Sequence, residues 1–503
     1  MRERLILRFR CVFPGFLWWL VLLLTVSCLQ GWAACDHVPA GQTLRVRLSQ
    51  PVSSYSAKPG MRLLGILIES PECDGLPLFP QGTAVEGRVQ SVRKVGMGFR
   101  HETAALEIEF DLISPDDSPP ITMHSRVLDV DNARESVKNG VIRGIRSTAT
   151  PQNRFIFPLA HLLVWSPYSY WIPAASEALF PIASEPEIYF PVGTDLRLQL
   201  TAPLPVATSI SPALANKEFE ESGTEALNRI VLSFTQRTSN AEGRAADVVN
   251  LLFIGSREEI ERAFLTARWT NSDPLSVRSV LRGFHAVISL NSDPHLPMSS
   301  HLLDGKSSDS TWQKSLDSYS KRDHLRIWNR PETWEGQTIW LAASTAEEGA
   351  SWSFRKERFV HHVVPDIDEE REKVVRDLSM AGCVEAAYNS PRPTTPASMV
   401  GSTGTELRTD GAVAVIQLRE CQLPVENTEA IFAVATRPRS KFARIIRAQV
   451  LSLRNLWREN IVYDGVDVGR LTVSAIRTNR ANDRALKATR QSSFANYSKT
   501  KVD

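Results

Sequence analysis

GQTLRVRLSQP (Gly41–Pro51) and GTDLRLQLTAP (Gly193–Pro203) are two copies of one short pattern, matching at glycine, leucine, arginine, leucine and proline. In the first, Leu44, Val46 and Leu48 alternate with Arg45 and Arg47, the period of two that marks a half-buried strand. A shared leading glycine and closing proline make these the first and last strands of one sheet system, a barrel or a sandwich. Between them, ALEIEFDLI (Ala105–Ile113) sets Leu106, Ile108, Phe110 and Leu112 on one face and Glu107, Glu109 and Asp111 on the other. Residues 36–205 therefore read as a β-rich domain.

Two segments interrupt that pattern: VDNARESVKNG (Val130–Gly140) and HLLVWSPYSYWIPAASEALFP (His161–Pro181). The second reads better as a helical hairpin over the open end of the sheet than as a membrane-dipping loop, although Trp165, Tyr168, Tyr170 and Trp171 are interfacial residue types. Residues 206–246 are polar and small, and read as a linker.

The chain of 503 residues predicts two to four domains, and 43% hydrophobic with 23% charged residues predicts real buried cores. A second domain begins near Asp247. VVNLLFI (Val248–Ile254) is an apolar run of strand length, Gly255 follows, and Ser256 with Glu259 forms a capping box for a helix through about Arg268. Another helix is expected over Leu275–Ile288, and strands at His324–Trp328, Thr338–Ser344 and Arg358–Val364. Asp366 is the expected N-cap of a helix closed by Gly382, and ELRTDGAVAVIQL the expected hairpin turning at Asp410-Gly411. The expected fold is thus multi-domain: a mostly-β barrel or sandwich followed by an α+β domain over 247–421, with an extension over 422–478 and a disordered basic tail over 479–503.

Residues 1–34 carry the compartment signal. Arg2, Arg4, Arg8 and Arg10 precede CVFPGFLWWLVLLLTVSCL and then GWAA, the order of an export signal with a cut after Ala33 or Ala34. Cys11–Leu29 is also near the minimum length of a retained anchor, and TVSC at Cys28 is similar to a bacterial lipobox; Pro14 and the short dense core favour cleavage. Export makes disulfides of the remaining cysteines, and near-neighbour pairing, Cys35 with Cys73 and Cys383 with Cys421, keeps each bridge within one domain. No second cysteine lies within five residues of any of these, so structural zinc is not expected, nor is any other metal or cofactor.

The net charge of +2 hides an asymmetry. Residues 1–33 carry +3, and residues 437–503 carry 15 Lys/Arg against 5 Asp/Glu, which leaves about −11 for the body. After export a basic tail points to an anionic membrane surface or an acidic envelope protein, not to nucleic acid. RSKFARIIRAQVLSLRNLWREN (Arg439–Asn460) places Phe442, Ile446, Val450, Leu453 and Trp457 at helical spacing, with Arg444, Arg447, Arg454 and Arg458 around them. Such a helix lies on anionic lipid or docks on the acidic second domain, the latter favoured by charge. IVYDGVDVGRLTVSAI after it reads as a hairpin turning at Asp464-Gly465 or Val468-Gly469.

Several stretches of the second domain, namely LLFIGSREEIERAF (Leu251–Phe264), WQK (Trp312–Lys314), DHLRIW (Asp323–Trp328), IWLAAST (Ile339–Thr345), VHHVVPDIDEERE (Val360–Glu372) and TDG (Thr409–Gly411), resemble the LssY-like C-terminal domain of bacterial envelope proteins. The resemblance implies association with membranes and no settled reaction. Two acidic positions depart from it, with Glu347 where Asp is commoner and Val364 where the family tends to have Asp. The Gly-x-x-Leu-Arg-Val-x-Leu opening is similar, over a short span, to β-domains of secretion and conjugation proteins.

His324, His361 and His362 with Glu347, Asp366 and Asp368 are the densest His and carboxylate grouping. Imidazole and carboxylate serve metals and acid–base chemistry, but His361 and His362 point to opposite faces of a strand, and the acidic residues suffice as a helix N-terminus. Trp312, Trp328, Trp334, Trp340 and Trp352 read mainly as core, with Trp334 the exposed candidate for ligand stacking. G-x-S-x-G, H-E-x-x-H and a complete phosphate loop are missing from the sequence. The expected function is a non-catalytic binding or assembly module of the cell envelope, its oligomeric state left open. The alternative is a hydrolase of phosphorylated lipids or glycans using His324 with Asp323 or His361. Export carries a direct test: non-reducing peptide mapping of the native protein should join the Cys35 and Cys73 peptides, and free thiols at both would refute the pairing.

Overall fold

The computed structural model describes residues 37–147, 185–205, 219–274, 276–279, 295–314, 321–353, 358–422, 434–456 and scattered positions up to 484, short internal stretches excepted. The first sheet is built from β1 (Thr43–Leu48), β2 (Arg62–Glu69), β3 (Ala84–Arg93), β4 (Ala105–Ser114), β5 (Ile121–Thr122), β6 (Ser125–Val130), β7 (Ser136–Lys138), β8 (Val141–Arg143) and β9 (Asp195–Leu200). Their order is β6-β9-β1-β2-β3-β4-β8-β7, with β5 on β4, and every pairing is antiparallel. The two echoing segments, β1 and β9, are neighbours, with Leu44 opposite Leu198 and Arg47 opposite Asp195.

Their leading glycines do the same work at opposite ends of the pair. Gly41 and Gly193 have φ of +97° and +91°, a backbone that side chains rarely adopt, and each N–H reaches across to the partner strand's last residue, Leu200 O or Leu48 O, at 2.8 Å. The sheet then curls until β6 meets β4. Ser125 Oγ donates to Phe110 O at 2.8 Å and accepts from Phe110 N at 3.2 Å, standing in for a ladder bond at the seam of a nearly closed barrel. Inside lie Val46, Leu67, Val85, Ile108, Phe110 and Leu198, each at most 1% exposed, because the period-two pattern turns one side of every strand inward.

The second sheet comprises β10 (Leu251–Ile254), β11 (Thr270–Asn271), β12 (Ser310–Lys314), β13 (Lys321–Trp334), β14 (Gln337–Ser353), β15 (Arg358–Val363), β16 (Val384–Ser390) and β17 (Val413–Leu418), in the order β11-β12-β13-β14-β10-β17-β16 with β15 on β14. Three helices cover it: α1 (Glu221–Ser233) on one face, α2 (Arg257–Thr266) and α3 (Asp368–Met380) on the other. The continuous apolar run of β10 is explained by this layering. Leu251 and Phe253 pack under α2 and α3, Leu252 and Ile254 under α1, so both faces are core. Ser256 and Glu259 make the capping box reciprocally, and Gly382, at φ +71°, closes α3. Cys383 and Cys421 are joined by a disulfide.

Several expectations need correction. Within 206–246, read as a linker, residues 206–218 lie outside the described residues and the rest is folded: α1 buries Leu227 and Val231 on the second sheet, and strands at Arg237–Asn240 and Ala245–Val248 pair beside it. Polar, small-residue composition concealed a helix that needs only one narrow apolar stripe. Asp410-Gly411 does not turn a hairpin, since Glu406–Arg408 pairs with Ser398–Val400 while β17 runs parallel to β10. Arg371 explains the detour, because its fork holds Asp410 at 2.7 and 2.9 Å and wraps the turn around the start of α3. Asp366 is not the N-cap. Ile367 is, and Asp366 Oδ1 accepts from Asp368 N at 3.2 Å, one turn-like bond upstream of the helix.

After residue 434 a fourth helix, α4 (Lys441–Leu456), forms where expected, but it docks on the barrel, not on the second sheet. Arg447 bonds Glu185 and Glu187, and Leu451 joins the barrel core. Two local carboxylates, not the summed charge of the body, choose the site. Described residues between 469 and 484 are helical, not a hairpin. Cys35, most of 275–288, the aromatic segment 161–181 and residues 485–503 lie outside the described residues.

The bridge has a measurable consequence. Replacing Cys383 and Cys421 together by serine should lower unfolding stability by about 4 kcal/mol, from the closure entropy of its loop, as read by urea denaturation. A change under about 1 kcal/mol would show that the bridge is dispensable.

Candidate functional site

Hydrophobic periodicity turns Leu44, Val46 and Leu48 into the barrel and so turns Arg45 and Arg47 out of it. On β9 the same alternation places Asp195 beside Arg47 on the outer surface. That surface is covered by α3 and the end of β12. Along α3 the buried residues Glu370, Arg371, Lys373, Val374, Asp377 and Leu378 recur at helical spacing, and four of the six are charged. A charged stripe thus meets a charged strand pair, out of water.

The contacts form one network between the two sheets. Arg47 grips Asp195 with two parallel bonds, Nε to Oδ1 at 2.7 Å and Nη2 to Oδ2 at 2.9 Å, and its Nη2 also lies 2.7 Å from Asp377 Oδ1. Asp377 Oδ2 accepts from Lys314 Nζ at 2.8 Å and from Trp269 Nε1 at 3.0 Å. Lys373 stands among Asp131, Asp323 and Asp195 at 3.3, 3.4 and 3.7 Å, and Lys321 adds a 2.7 Å contact to Asp131. At the rim Arg45 reaches Glu369 at 3.2 Å.

Burial opposes charge on every member, and the neighbours decide which groups stay ionised. Asp377 overcomes its burial because Arg47, Lys314 and Lys373 surround it, and it is held well below the usual carboxylate range. Lys314 does not gain equally from the same contact: burial and then Arg47 push it down to about 8, because it touches one anion while a guanidinium stands close by. Lys373, ringed by carboxylates, is held well above its ordinary value despite burial. Glu370 is the odd member. It is 3% exposed, its Oε1 has no hydrogen-bond partner among the described residues, and burial followed by the charge of Asp323 pushes it well above the carboxylate range, which favours its neutral form.

Beside this network the sheets leave a cleft of about 330 Å³. Arg47, Lys314 and Asp377, with Ser49, Thr266 and Arg268, supply its polar lining, while Ile66 and Val192 from the barrel and Leu265 and Met380 from the second region form apolar walls. An apolar cavity with a few convergent polar groups between two structural units is a common form of small-molecule site.

The residues singled out from the sequence fall elsewhere or divide. Asp323 faces the seam and Lys373, whereas His324, next to it on β13, faces away and lies 3.3 Å from Glu347. Adjacent strand residues point to opposite faces, so His324 and Asp323 do not meet as a catalytic pair. His361 lies on β15 opposite Ala350, and its side chain is outside the described residues. Trp334 is half-buried, its ring against Gly223 of α1, and Trp312, Trp328 and Trp340 are core, their indoles bonded to Ser310, Lys306 and Gly255. A second buried set passed unnoticed in the sequence: Asp247 accepts from Arg326 at 2.8 Å and pairs with His301 at 2.8 Å. Arg47, Asp195, Lys314, Lys373 and Asp377 were missed as well. Their one legible signal is the spacing of Glu370, Lys373 and Asp377 on the face that α3 buries. Among the described residues no grouping of His, Cys, Asp and Glu is arranged to hold a metal ion.

Residues 229–413 match the family described as the LssY C-terminus, in agreement with the motifs of the second region and starting within α1. No curated protein matches the chain closely enough to count as a relative. Among solved structures, ComB10 of the Com type IV secretion system of Helicobacter pylori is 11% identical over 35% of this chain and 95% of that chain, with a TM-score of 0.20, too low to indicate a shared fold.

Two substitutions separate the ionised from the neutral members of the seam. Asp377→Asn strands Arg47 and Lys314 and should cost about 3–5 kcal/mol in denaturant unfolding at pH 7. Glu370→Gln preserves the neutral shape. Because the folded-state value of Glu370 lies above the unfolded one, its contribution is full in acid and fades as pH rises through the folded value. The Gln variant should therefore match the native protein at pH 4 and exceed it as pH increases. A large loss at pH 4 would show that the carboxyl is ionised in the fold.

Proposed function

We propose that this chain is an exported cell-envelope protein that acts as a non-catalytic binding module, assembling through the outer face of α4. The observation that carries the reading is the way α4 is turned. Its charged side faces the barrel, where Arg447 Nη1 bonds both carboxylate oxygens of Glu185 at 2.5 and 2.6 Å and Nη2 reaches Glu187 at 3.1 Å, while Ser147 Oγ donates to Leu451 O at 3.3 Å. Its apolar side faces out. Phe442 is 72% and Ile445 58% exposed, and Ile446 lies next to them, so three large apolar residues share one open face. Leaving such a face in water is unfavourable by roughly 25 cal/mol per Å², which a docked partner would recover.

The seam network supports the same reading, because it joins barrel and second sheet through buried ion pairs and lets α4 stand on a stiff platform. The arginine-led segment before residue 34 favours export, and so does the resemblance of the second region to a domain of bacterial envelope proteins. Among the described residues no helix is long and apolar enough to cross a membrane. Arg444 is half-buried beside the docked face, the side chain of Arg454 is not described, and Trp457 and Arg458 lie outside the described residues. The membrane contact expected of these arginines is thus proposed instead for the apolar face.

Site-specific photocrosslinking in intact cells tests this. A photoreactive residue at position 446 should give one discrete adduct, protein for an assembly partner or lipid for a membrane surface, and Phe442→Asp should abolish it. An equal adduct from position 128, whose leucine is exposed on the barrel, or none from 446, sinks the proposal.

A further inference from the structure

The seam network leaves part of its hydrogen-bonding capacity unused, and that part borders the cleft. Arg47 uses Nε and Nη2 on Asp195 and Asp377, and among the described residues its Nη1 makes no hydrogen bond. Lys314 gives two of its three ammonium hydrogens to Asp377 Oδ2 at 2.8 Å and Ala267 O at 3.3 Å. Lys314 is 3% exposed, too buried for water to solvate its remaining hydrogen freely. Asp377 Oδ2 already accepts twice, and Oδ1, which lies 2.7 Å from Arg47 Nη2 without a well-directed hydrogen bond, is fully buried and so presents no acceptor at the surface of the cleft. What remains on the polar side is therefore donor capacity, and opposite it stand Ile66, Val192, Leu265 and Met380.

We propose that this cleft binds a small amphipathic anion: a carboxylate or phosphate monoester head held by Arg47 Nη1 and Lys314, with a short aliphatic body against Ile66, Val192 and Leu265. Cationic donors in a site walled from water bind an anionic head through charge-assisted bonds, and the apolar walls select the body. The cleft volume of about 330 Å³ suits a short chain and excludes a two-tailed lipid lying wholly inside. The head-and-tail chemistry is common to a soluble acyl or alkyl anion and to a lipid presenting its head from a membrane. This site is distinct from the face of α4 and does not depend on what docks there.

The test uses the full chain and octyl phosphate as probe, with inorganic phosphate lacking the body and octylammonium reversing the charge. Calorimetry should show saturable one-to-one binding of octyl phosphate, at least tenfold tighter than either control. Leu265→Trp, placed on an exposed position of α2, should block the cleft and weaken binding at least tenfold without touching the ion pairs. Acetylation of Lys314 at pH 7.5, where most of its ammonium is charged to hold the head and a fraction is neutral to react, followed by mass spectrometry, reads the site directly and should slow when octyl phosphate is present. Slowing by phosphatidic-acid vesicles alone would support the same chemistry with a membrane source. No protection by either, or equal affinity in the Leu265→Trp variant, would overturn the proposal.

Discussion

The bidentate pair between Arg47 and Asp195, extended through Asp377 to Lys314, is the interaction on which the arrangement of the two sheets depends. Arg47 and Asp195 belong to the barrel, and Asp377 and Lys314 to the second region, so the network is a joint as well as a set of ion pairs. Its members are buried together, and an ion pair removed from water tolerates neither partner's loss. Sliding the barrel across α3 by one helical turn would leave several charges uncompensated at once. Apolar burial alone tolerates such slips, because it is nearly indifferent to direction. Specific placement here comes from charge, and the adhesive contribution from the cores on either side.

The ionisation pattern within the joint follows from counting neighbours. Asp377 meets three cations and stays charged, Lys373 meets three carboxylates and stays charged, and Lys314, with one anion in contact and Arg47 nearby, is held less firmly. Glu370 completes the set, with burial and Asp323 raising it well above the carboxylate range. A protein that needed only adhesion at this surface would do as well with leucines. Retaining partly satisfied donors at the edge of a cleft is consistent with a surface that also receives a charged ligand.

The same logic governs α4. Its arginine, not its apolar stripe, makes the specific contact with the barrel, through Glu185 and Glu187, and Leu451 supplies the buried apolar contact. A helix seated by its charged side must turn its apolar residues outward. The helix is amphipathic, as its spacing implies, yet amphipathicity alone does not say which side finds the protein and which finds something else.

Local periodicity was enough to determine several of the strands and most helices. Alternation in LRVRL and ALEIEFDLI, the uninterrupted LLFI run, the Ser256–Glu259 capping box and the closing Gly382 each act within a few residues, where backbone geometry dictates the pattern. The echo between β1 and β9 was legible as two strands of one sheet system, and the structure makes them neighbours. Three things were decided only in three dimensions. α1 was hidden by its polar composition, the TDG turn was diverted by Arg371, and the side of α4 that docks was selected by Glu185 and Glu187, which lie more than 250 residues earlier in the chain. The joint belongs to this second class: Arg47 and Asp377 each look like an ordinary surface charge in sequence. Only the packing of one sheet against the other excludes water from between them and makes their charges decisive.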